Sequence, residues 1–357
     1  MQLESIEFSF LSIFTLVTFF IFLAISRYSY KIKNGALLDK DFSKPQAFHR
    51  HAISRSGGVA GIISLNIFFL VYFLLYSNTL YEYIFICNLM FLIGFLDDLK
   101  IKISPSKRLL LMIVFLFFSI HTLSLEISNI DIPFLLDFLK INFFSSIFIL
   151  LCFLFIINGA NLIDGFNGLL VINLVIINSI LLYINISTGN SEFSIFLIAQ
   201  IIILLSFLLF NFPNAKIFLG DSGSYVMGSL VALNSIITNN LNPTYSSFFF
   251  STLLFYLFFE VFFSFLRKVV QRKSPVHPDN KHLHMLTYKR VSLVFGRDKG
   301  NYMNSIIINA VYIALILPAT IFAKNHMISK YWFFSLIIFY LFIYIRLYRL
   351  TKNQIDI

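Results

Sequence analysis

Long apolar runs alternate with short polar segments along the whole chain. A membrane-spanning helix needs about 20 predominantly apolar residues, and eleven runs approach this length. Their approximate cores are residues 8–26, 58–76, 80–96, 109–125, 143–157, 169–186, 193–210, 224–238, 245–266, 305–322 and 331–345. The pattern predicts an all-α polytopic membrane protein of about 11 transmembrane helices, forming a single domain over residues 1–357.

The composition strengthens this prediction, because the chain is 58% hydrophobic and only 12% charged. Soluble domains are about 25% charged, so an ordinary soluble domain is excluded. The first apolar run follows Glu4 and Glu7 rather than a basic segment, and it is longer than the core of a signal peptide. We interpret it as a retained membrane span. Cys87 and Cys152 fall inside apolar runs and match no metal-binding spacing.

Lys and Arg concentrate in alternate polar segments, and this bias predicts the orientation of the chain. Basic residues accumulate on the cytoplasmic side of membrane proteins. If residues 27–56 are cytosolic, that side holds 24 of the 27 Lys and Arg, leaving only Lys140, Lys324 and Lys330 outside. The N-terminus is then expected outside and the C-terminus in the cytosol. Topology also explains the net charge of +10 without a nucleic-acid partner.

The same alternation places four polar clusters on the cytosolic face. They follow the third, fifth, seventh and ninth predicted helices, and none falls on the outer side. Their candidate site residues are Asp97, Asp98, Asn158, Asn161, Asp164, Asn167, Asp221, His277, His282 and His284. One cytosolic site assembled from several loops is the simplest explanation.

The cluster after the fifth helix reads NGANLIDGFNG over residues 158–168. Unpaired polar groups in hydrocarbon cost several kcal/mol, so this stretch is expected in water or lining a cavity. Asn158, Asn161 and Asp164 recur every three residues, which would place them on one stripe of a helix. The glycines would let the backbone turn and approach a ligand closely. The alternative is an ordinary turn between helices.

Asp97 and Asp98 end the third helix, and neighbours on a helix point about 100° apart. The two carboxylates therefore cannot share one task equally. One could take a metal ion or a substrate proton while the other orients it, and the alternative is a pair of solvated groups. Four basic residues that follow would suit an anionic lipid head group or simple anchoring to the cytosolic side. They are Lys100, Lys102, Lys107 and Arg108.

The segment FLGDSGS at residues 218–224 opens the eighth helix. Asp221, Ser222 or Ser224 could cap that helix. A functional interpretation adds that free N–H groups at a helix start attract phosphate, and that the Asp221 carboxylate can hold Mg²⁺. Magnesium takes one or two protein oxygens together with waters and substrate phosphates, which suits a sparse set of Asp and Asn.

The cluster after the ninth helix, HPDNKHLH at residues 277–284, contains three histidines. No cysteine joins them, so donors to phosphate or sugar oxygens are favoured over a zinc site or a merely solvated loop. Within the ninth helix, Glu260 could pair with Arg267 or Lys268, or mark an acceptor groove. The basic first loop, residues 41–58, contains His49 and ends in two glycines.

Taken together, these motifs resemble the polyprenyl-phosphate N-acetylhexosamine 1-phosphate transferases over nearly the whole chain. The four motifs appear in the family's order. They are the Asp pair at 97–98, N-x-x-N-x-x-D-G at 158–165, G-D-x-G-S at 220–224 and H-P-D-x-x-H-L-H at 277–284. The first loop is also similar, with Asp41, His49, Gly57 and Gly58 at matching positions.

The resemblance implies that polyprenyl phosphate, such as undecaprenyl phosphate, attacks the β-phosphorus of a UDP-sugar and releases UMP with Mg²⁺. It implies that Asp97 or Asp98 handles the acceptor phosphate or its proton. Asn161 and Asp221 would hold the metal, and Lys107 would meet the lipid phosphate. The residues implied to bind the donor are Asn158, Asp164, Asn167, His49, His277, His282 and His284. Direct attack and a covalent aspartyl intermediate both remain open.

The resemblance further implies a bacterial cytoplasmic membrane location with the active site facing the cytosol. It is compatible with Mn²⁺ as a substitute and with a homodimer. Asn167 departs from the family, since many members have a second Asp there, and Ser43 and Ser54 replace common prolines.

The basic His-containing loop resembles the enzymes that start O-antigen, teichoic acid or common-antigen chains. UDP-N-acetylglucosamine is therefore the expected donor, ahead of another UDP-N-acetylhexosamine. The alternatives are the phospho-N-acetylmuramoyl-pentapeptide transferase of peptidoglycan synthesis and, from a different class, a transporter or lipid flippase.

Overall fold

The computed structural model of the protein describes residues 2–34, 37–39, 52–101, 103–274 and 279–352. These residues form α-helices, one short 3-10 helix (Ser29–Asn34) and two antiparallel strands of two residues each, β1 (Leu38–Asp39) and β2 (Ile53–Ser54). The helices are α1 (Gln2–Tyr28), α2 (Gly57–Tyr76), α3 (Tyr81–Asp98), α4 (Pro105–Thr122), α5 (Pro133–Leu139), α6 (Asn142–Ile163), α7 (Leu169–Ser187), α8 (Ser191–Asn211), α9 (Gly220–Leu241), α10 (Ser247–Leu253), α11 (Phe255–Val270), α12 (Leu283–Phe295), α13 (Arg297–Ile321) and α14 (His326–Thr351).

The all-α polytopic membrane fold is confirmed. Each predicted apolar core overlaps a helix, or in one case a pair of helices. In the described ranges, eight helices are long and apolar enough to cross a membrane, or nine if α10 and α11 together form one span. The other two predicted spans correspond to α3 and α9, which carry more charged or polar residues. The number eleven and the orientation stay predictions.

The predicted span over residues 245–266 is not a single straight helix. The axis bends by 76° between α10 and α11, although the apolar run contains no Pro or Gly at that point. Just after the bend, α6 approaches the α11 backbone so closely that a Cβ on Gly159 would lie 2.2 Å from the Leu257 carbonyl oxygen. Gly159 therefore serves helix packing, and not the approach to a ligand that the sequence suggested.

The central element of the bundle is α9, which packs against α2, α3, α6 and α7 and is buried over most of its length. Its Asn234 side chain donates to Asn178 Oδ1 of α7 at 3.0 Å and to Gln200 Oε1 of α8 at 2.8 Å. The Tyr83 hydroxyl of α3 donates to Asn234 Oδ1 at 2.8 Å. Buried polar groups in an apolar bundle need such partners, so this network fixes the level of α9 relative to its neighbours.

The end of the first loop holds the segment that leads into α9. Ser54 of β2 forms a parallel β-bridge with Ile217. The Gly57 N–H donates to the Phe218 carbonyl at 2.9 Å, and the Gly58 N–H donates to the Leu219 carbonyl at 2.8 Å. The start of α2 therefore lies directly beside the start of α9. This pairing brings the first loop to the end of the bundle that carries the polar clusters.

Candidate active site

Asp98 of α3 caps the N-terminus of α9. Its Oδ1 accepts the Asp221 N–H at 3.0 Å, and its Oδ2 accepts the Ser222 N–H at 2.9 Å and the Ser222 hydroxyl at 2.6 Å. The Asp98 side chain is fully buried. Burial and the negative charge of Asp221 raise the pKa of the Asp98 carboxyl to about 7, while the hydrogen bonds from Ser222 act in the opposite direction and favour the carboxylate.

The Asp98 carboxylate thus accepts the Asp221 and Ser222 N–H groups at the start of α9, so these two groups are not free to bind phosphate. The N-cap residue, Leu219, makes no side-chain cap, so the expected capping by Asp221, Ser222 or Ser224 is wrong. Gly220 permits the arrangement. Its φ is +78°, and a Cβ there would lie 2.6 Å from Asp98 Oδ2.

Asp97 and Asp221 converge on a single arginine, Arg108 of α4. The Arg108 Nη1 lies 2.8 Å from Asp97 Oδ2 and 2.6 Å from Asp221 Oδ2. These three side chains keep 18–27% of their surface exposed, whereas Asp98 is fully buried. The two neighbouring aspartates thus point apart, as the sequence predicts, and Asp97 is the one that substrate can reach.

The site holds more negative charge than its arginines neutralise. Burial, together with the negative charge of Asp221, raises the pKa of the Asp97 carboxyl, which lies past the apolar part of α3, to about 6. Burial and the Asp221 charge also raise the pKa of Asp164, the residue that follows α6, well above its ordinary value. Asp97 and Asp164 therefore each lie close enough to Asp221 for the charges to interact.

The sequence does not assign Arg55 to the site, and it suggests Arg108 only as a contact for an anionic lipid head group. Arg55, just after β2, donates to Asp39 Oδ2 through Nη2 at 2.7 Å, and its Nη1 lies 3.8 Å from Asp98 Oδ1. Lys100 ties the same hairpin to the end of α3 by donating to the Leu38 carbonyl at 2.8 Å. The available signal was the basic character of both loops, which anchoring to the membrane explained equally well.

The asparagines of the 158–168 stretch separate into different roles. Asn161 donates to Ser224 Oγ of α9 at 3.1 Å, which places it next to the Asp221 turn. Asn158 donates to the Leu154 carbonyl of its own helix at 2.7 Å. Asn167 donates through its side chain to the Pro213 carbonyl at 2.8 Å, so its amide group holds the loop before α9. The predicted contacts of these residues with metal or donor stay predictions.

The His-containing loop reaches the same region through aromatic contacts. The His284 ring packs edge-on against Phe166, with centroids 5.8 Å apart, and Phe166 lies two residues after Asp164. Both His282 and His284 are buried, and burial lowers the pKa of His284 to about 3. His282 faces Glu260 and Asp279. The expectation that these histidines are free donors to a substrate is therefore not supported by their burial.

Glu260 does not pair with Arg267 or Lys268, so that expectation is wrong. Arg267 binds Asp279 instead, with Nη2 and Oδ2 2.9 Å apart. Lys107 is exposed in the first turn of α4, where its backbone N–H is capped by Ser104 Oγ. His49 and His277 lie outside the described residues, as does Lys102.

A metal ion must be considered from the oxygens present. In the part of the chain that the structure describes, no group of three or more His, Cys, Asp or Glu side chains is arranged to hold a metal ion. Asp97 and Asp221 do converge, however, and Mg²⁺ commonly takes one or two carboxylates while water and substrate phosphates complete its coordination. These two carboxylates fit Mg²⁺ that binds together with substrate.

Comparisons with known proteins find a matching family model and several similar proteins. Residues 80–239 match the family model "Glycosyl transferase family 4". The undecaprenyl-phosphate alpha-N-acetylglucosaminyl 1-phosphate transferase of Thermotoga maritima is 27% identical over 277 residues, covering 77% of this chain and 80% of the relative.

Two phospho-N-acetylmuramoyl-pentapeptide-transferases are also similar. The Clostridium perfringens protein is 34% identical over 154 residues, covering 41% of this chain and 48% of the relative. The Clostridioides difficile protein is 28% identical over 216 residues, covering 57% and 66%. The matched region contains the Asp97–Arg108–Asp221 cluster and the Asp98 cap described above. The chain is similar to members of glycosyl transferase family 4, whose model matches its residues 80–239.

Proposed function

We propose that the protein transfers an N-acetylhexosamine 1-phosphate from a UDP-sugar to a polyprenyl phosphate in the membrane. An oxygen of the acceptor phosphate forms a bond to the β-phosphorus, the bond from that phosphorus to the bridging oxygen breaks, and UMP leaves. The observation that carries the proposal is the convergence of Asp97, Asp221 and Arg108 beside the capped start of α9.

Each charged group has a distinct proposed role. Asp97, partly exposed and with its pKa raised to about 6, accepts the proton of the acceptor phosphate near neutral pH. Asp98 holds α9 and thereby positions Asp221. Arg108 and Arg55 supply positive charge, because phosphoryl transfer depends on positioning and on neutralising the phosphate oxygens.

A Mg²⁺ ion would be held by Asp221 together with Asp97 or Asn161. When bound, it would neutralise oxygens of the donor pyrophosphate. Asn161 is included because its donation to Ser224 Oγ places it beside the Asp221 turn. Asn158 and Asp164 remain the proposed donor-binding residues, and exposed Lys107 is suited to an acceptor phosphate at the membrane surface.

The extent of similarity favours an N-acetylglucosamine donor. The Thermotoga maritima relative matches over 77% of this chain, whereas the Clostridium perfringens pentapeptide transferase matches over 41%. The second candidate is nevertheless a phospho-N-acetylmuramoyl-pentapeptide transferase, which is favoured by the higher identity of 34% within its shorter match. We place the protein in the bacterial cytoplasmic membrane with the site facing the cytosol, a location consistent with the distribution of Lys and Arg.

The test is UMP release by the purified full chain with undecaprenyl phosphate and a panel of UDP-sugars. We expect release that requires the lipid, Mg²⁺ and UDP-N-acetylglucosamine. Asp97→Asn and Asp221→Asn should lower the rate by at least about a hundredfold. The matched control is Asp137→Asn, which changes an exposed aspartate that pairs with Lys140. Turnover that persists in EDTA would contradict the role of Mg²⁺, and release without the lipid would contradict the transfer.

A further inference from the structure

A second carboxylate is buried away from the aspartate cluster. Glu260 lies in α11 within an apolar stretch, and only 1% of its surface is exposed. An uncompensated carboxylate in such a place is very costly, so Glu260 must be paired or hydrogen-bonded. Its partners show which part of the molecule depends on it.

Three groups from two other helices converge on Glu260. Its Oε1 accepts the Leu283 N–H at the start of α12 at 3.0 Å and lies 3.2 Å from His282 Nδ1. Its Oε2 accepts the Tyr340 hydroxyl of α14 at 2.7 Å. A carboxylate can only accept hydrogen bonds here, so His282 carries a proton on Nδ1. Glu260 thus fixes both the ring orientation of His282 and the start of α12.

The contacts continue from His282 towards the loop. His282 Nε2 lies 3.4 Å from Asp279 Oδ1, and Asp279 accepts from Arg267 Nη2 at 2.9 Å and from the Lys281 N–H at 3.0 Å. The Tyr344 hydroxyl donates to the Lys281 carbonyl at 3.0 Å. A carboxylate, an imidazole ring, a second carboxylate and a guanidinium group therefore follow one another from Glu260 through His282 and Asp279 to Arg267. These contacts hold residues 279–282 against α11 and α14.

This loop also touches the candidate active site. His284, two residues after His282, packs on Phe166 from the Asp164 loop, and the His282 and His284 rings are parallel with centroids 5.5 Å apart. A change at Glu260 would therefore reach the site through the two rings, although Glu260 is not among the groups that converge on Asp97 and Asp221.

We propose that Glu260 is a positioning residue that acts through His282, and through the contact of His284 with Phe166, on the Asp164 loop that the proposed function assigns to the UDP-sugar. The inference rests on the proposed function. Tyr340 in turn orients the Glu260 carboxylate. A carboxylate needed only for stability would affect unfolding and the amount of active protein, whereas a positioning residue changes the KM for the donor in the molecules that are folded.

The experiment compares Glu260→Gln, His282→Gln and the double variant in the UMP-release assay. Glu260→Gln should raise the KM for the UDP-sugar on the order of tenfold, the scale found for partners that orient ligating histidines. The kcat should change much less. Since Glu260 acts through His282, the double variant should show the KM of His282→Gln alone, within about twofold. Coupled residues are non-additive in this way.

Tyr340→Phe provides a milder change, because it removes one hydrogen bond to Glu260 and keeps the charge. It should raise the donor KM a few-fold. The matched control is Tyr312→Phe, which removes another buried tyrosine hydroxyl that donates to the Leu253 carbonyl. That control should keep the wild-type KM. If Glu260→Gln does not yield folded protein, the Tyr340→Phe result decides.

Wild-type turnover tests the proposed function separately in the same assay. Once the wild-type protein releases UMP, an unchanged donor KM in Glu260→Gln, or in Tyr340→Phe when the former does not fold, overturns the role of Glu260 alone. Independent, multiplicative effects of Glu260→Gln and His282→Gln would also overturn it.

Discussion

The neighbouring residues Asp97 and Asp98 differ in burial and in their hydrogen-bonding partners. Asp98 is fully buried and accepts three hydrogen bonds at the start of α9, whereas Asp97 is 27% exposed and faces Arg108. The first arrangement holds the fold of the site, and the second leaves a carboxylate available for chemistry. Substituting either aspartate should abolish activity, but for different reasons.

We therefore expect Asp97→Asn and Asp98→Asn to differ in their effects on the free energy of unfolding. Asp98→Asn removes a charged acceptor from buried donors and should cost about 2 kcal/mol or more. Asp97→Asn should change the stability by less than about 1 kcal/mol, as partly exposed polar changes generally do. Thermal unfolding of the detergent-solubilised protein measures both. Equal losses of stability would contradict the capping role of Asp98.

The raised pKa of Asp97 predicts how pH affects Mg²⁺ binding. A carboxyl with a pKa of about 6 becomes protonated as the pH falls through that value, and the proton then competes with the metal. The Mg²⁺ concentration needed for half-maximal activity should rise by up to about tenfold per pH unit below about pH 6.

The control for this titration is a substitution at the same position. Mg²⁺ binding by the Asp97→Asn variant, measured by calorimetry, should not show this pH dependence. A pH dependence identical to that of the wild-type chain would assign the titration to another group.

At the residue scale, the sequence predicts the acidic members of the site better than the basic ones. Asp97, Asp164 and Asp221 occur where apolar runs end, so their place near a membrane surface follows from hydropathy alone. Arg55 and Arg108 have long side chains whose partners depend on how α3, α4 and α9 approach one another. That approach is set by packing between distant parts of the chain, and hydropathy does not encode it.

At the scale of elements, the start of α9 is built by three separate segments. Asp98 comes from α3, the carbonyls of Phe218 and Leu219 bind the start of α2, and Gly220 supplies the left-handed turn. Each depends on the others, because the carboxylate fits only where residue 220 has no Cβ.

Gly220→Ala should therefore lower the free energy of unfolding by more than the cost of placing an alanine in the left-handed conformation. The left-handed conformation costs an alanine roughly 1–2 kcal/mol, and the new Cβ would also displace the Asp98 carboxylate. Gly189→Ala is the matched control, since its φ is +83° and its added Cβ would meet nothing within 4 Å. The difference in unfolding temperature between the two variants isolates the contact with Asp98. Equal unfolding temperatures would contradict it.

The elements themselves are largely predictable, because most apolar runs match single helices. The bend between α10 and α11 is not, since no Pro or Gly interrupts residues 245–266. It occurs where α6 presses against the Leu257 carbonyl through Gly159. The signal for this contact lies about 100 residues away in the sequence, in Gly159, which the sequence pattern assigns to a ligand-binding turn.

At the scale of the whole molecule, the polar clusters meet at one end of the bundle, as the alternation of segments predicts. The charges of Asp97 and Asp164 each interact with that of Asp221, and the His284 ring touches the Asp164 loop. Their convergence supports an enzyme site over a transporter site, which would place its ionisable groups near the bilayer midplane. Which side of the membrane this end faces is a separate prediction.

Labelling of intact cells with a membrane-impermeant maleimide tests the orientation. Asp137→Cys, on exposed α5, should react from outside, and Lys299→Cys, in the first turn of α13, should react only after the cells are opened. The expectation rests on the distribution of Lys and Arg. The unsubstituted chain corrects for Cys87 and Cys152. The reverse pattern would contradict the orientation, and labelling of Lys299→Cys from both sides would favour the transporter alternative.

The hydrogen bonds from Ser222 to Asp98 join residues 124 positions apart in the chain. During synthesis the ribosome therefore releases α3 long before the partner of its last carboxylate exists. Until α9 arrives, hydration is the best available compensation for that charge, which should keep the growing chain from drawing the end of α3 into the lipid. The Asp98 carboxylate, which caps α9 in the folded protein, should therefore also keep the end of α3 at the membrane surface while the chain is still being synthesised.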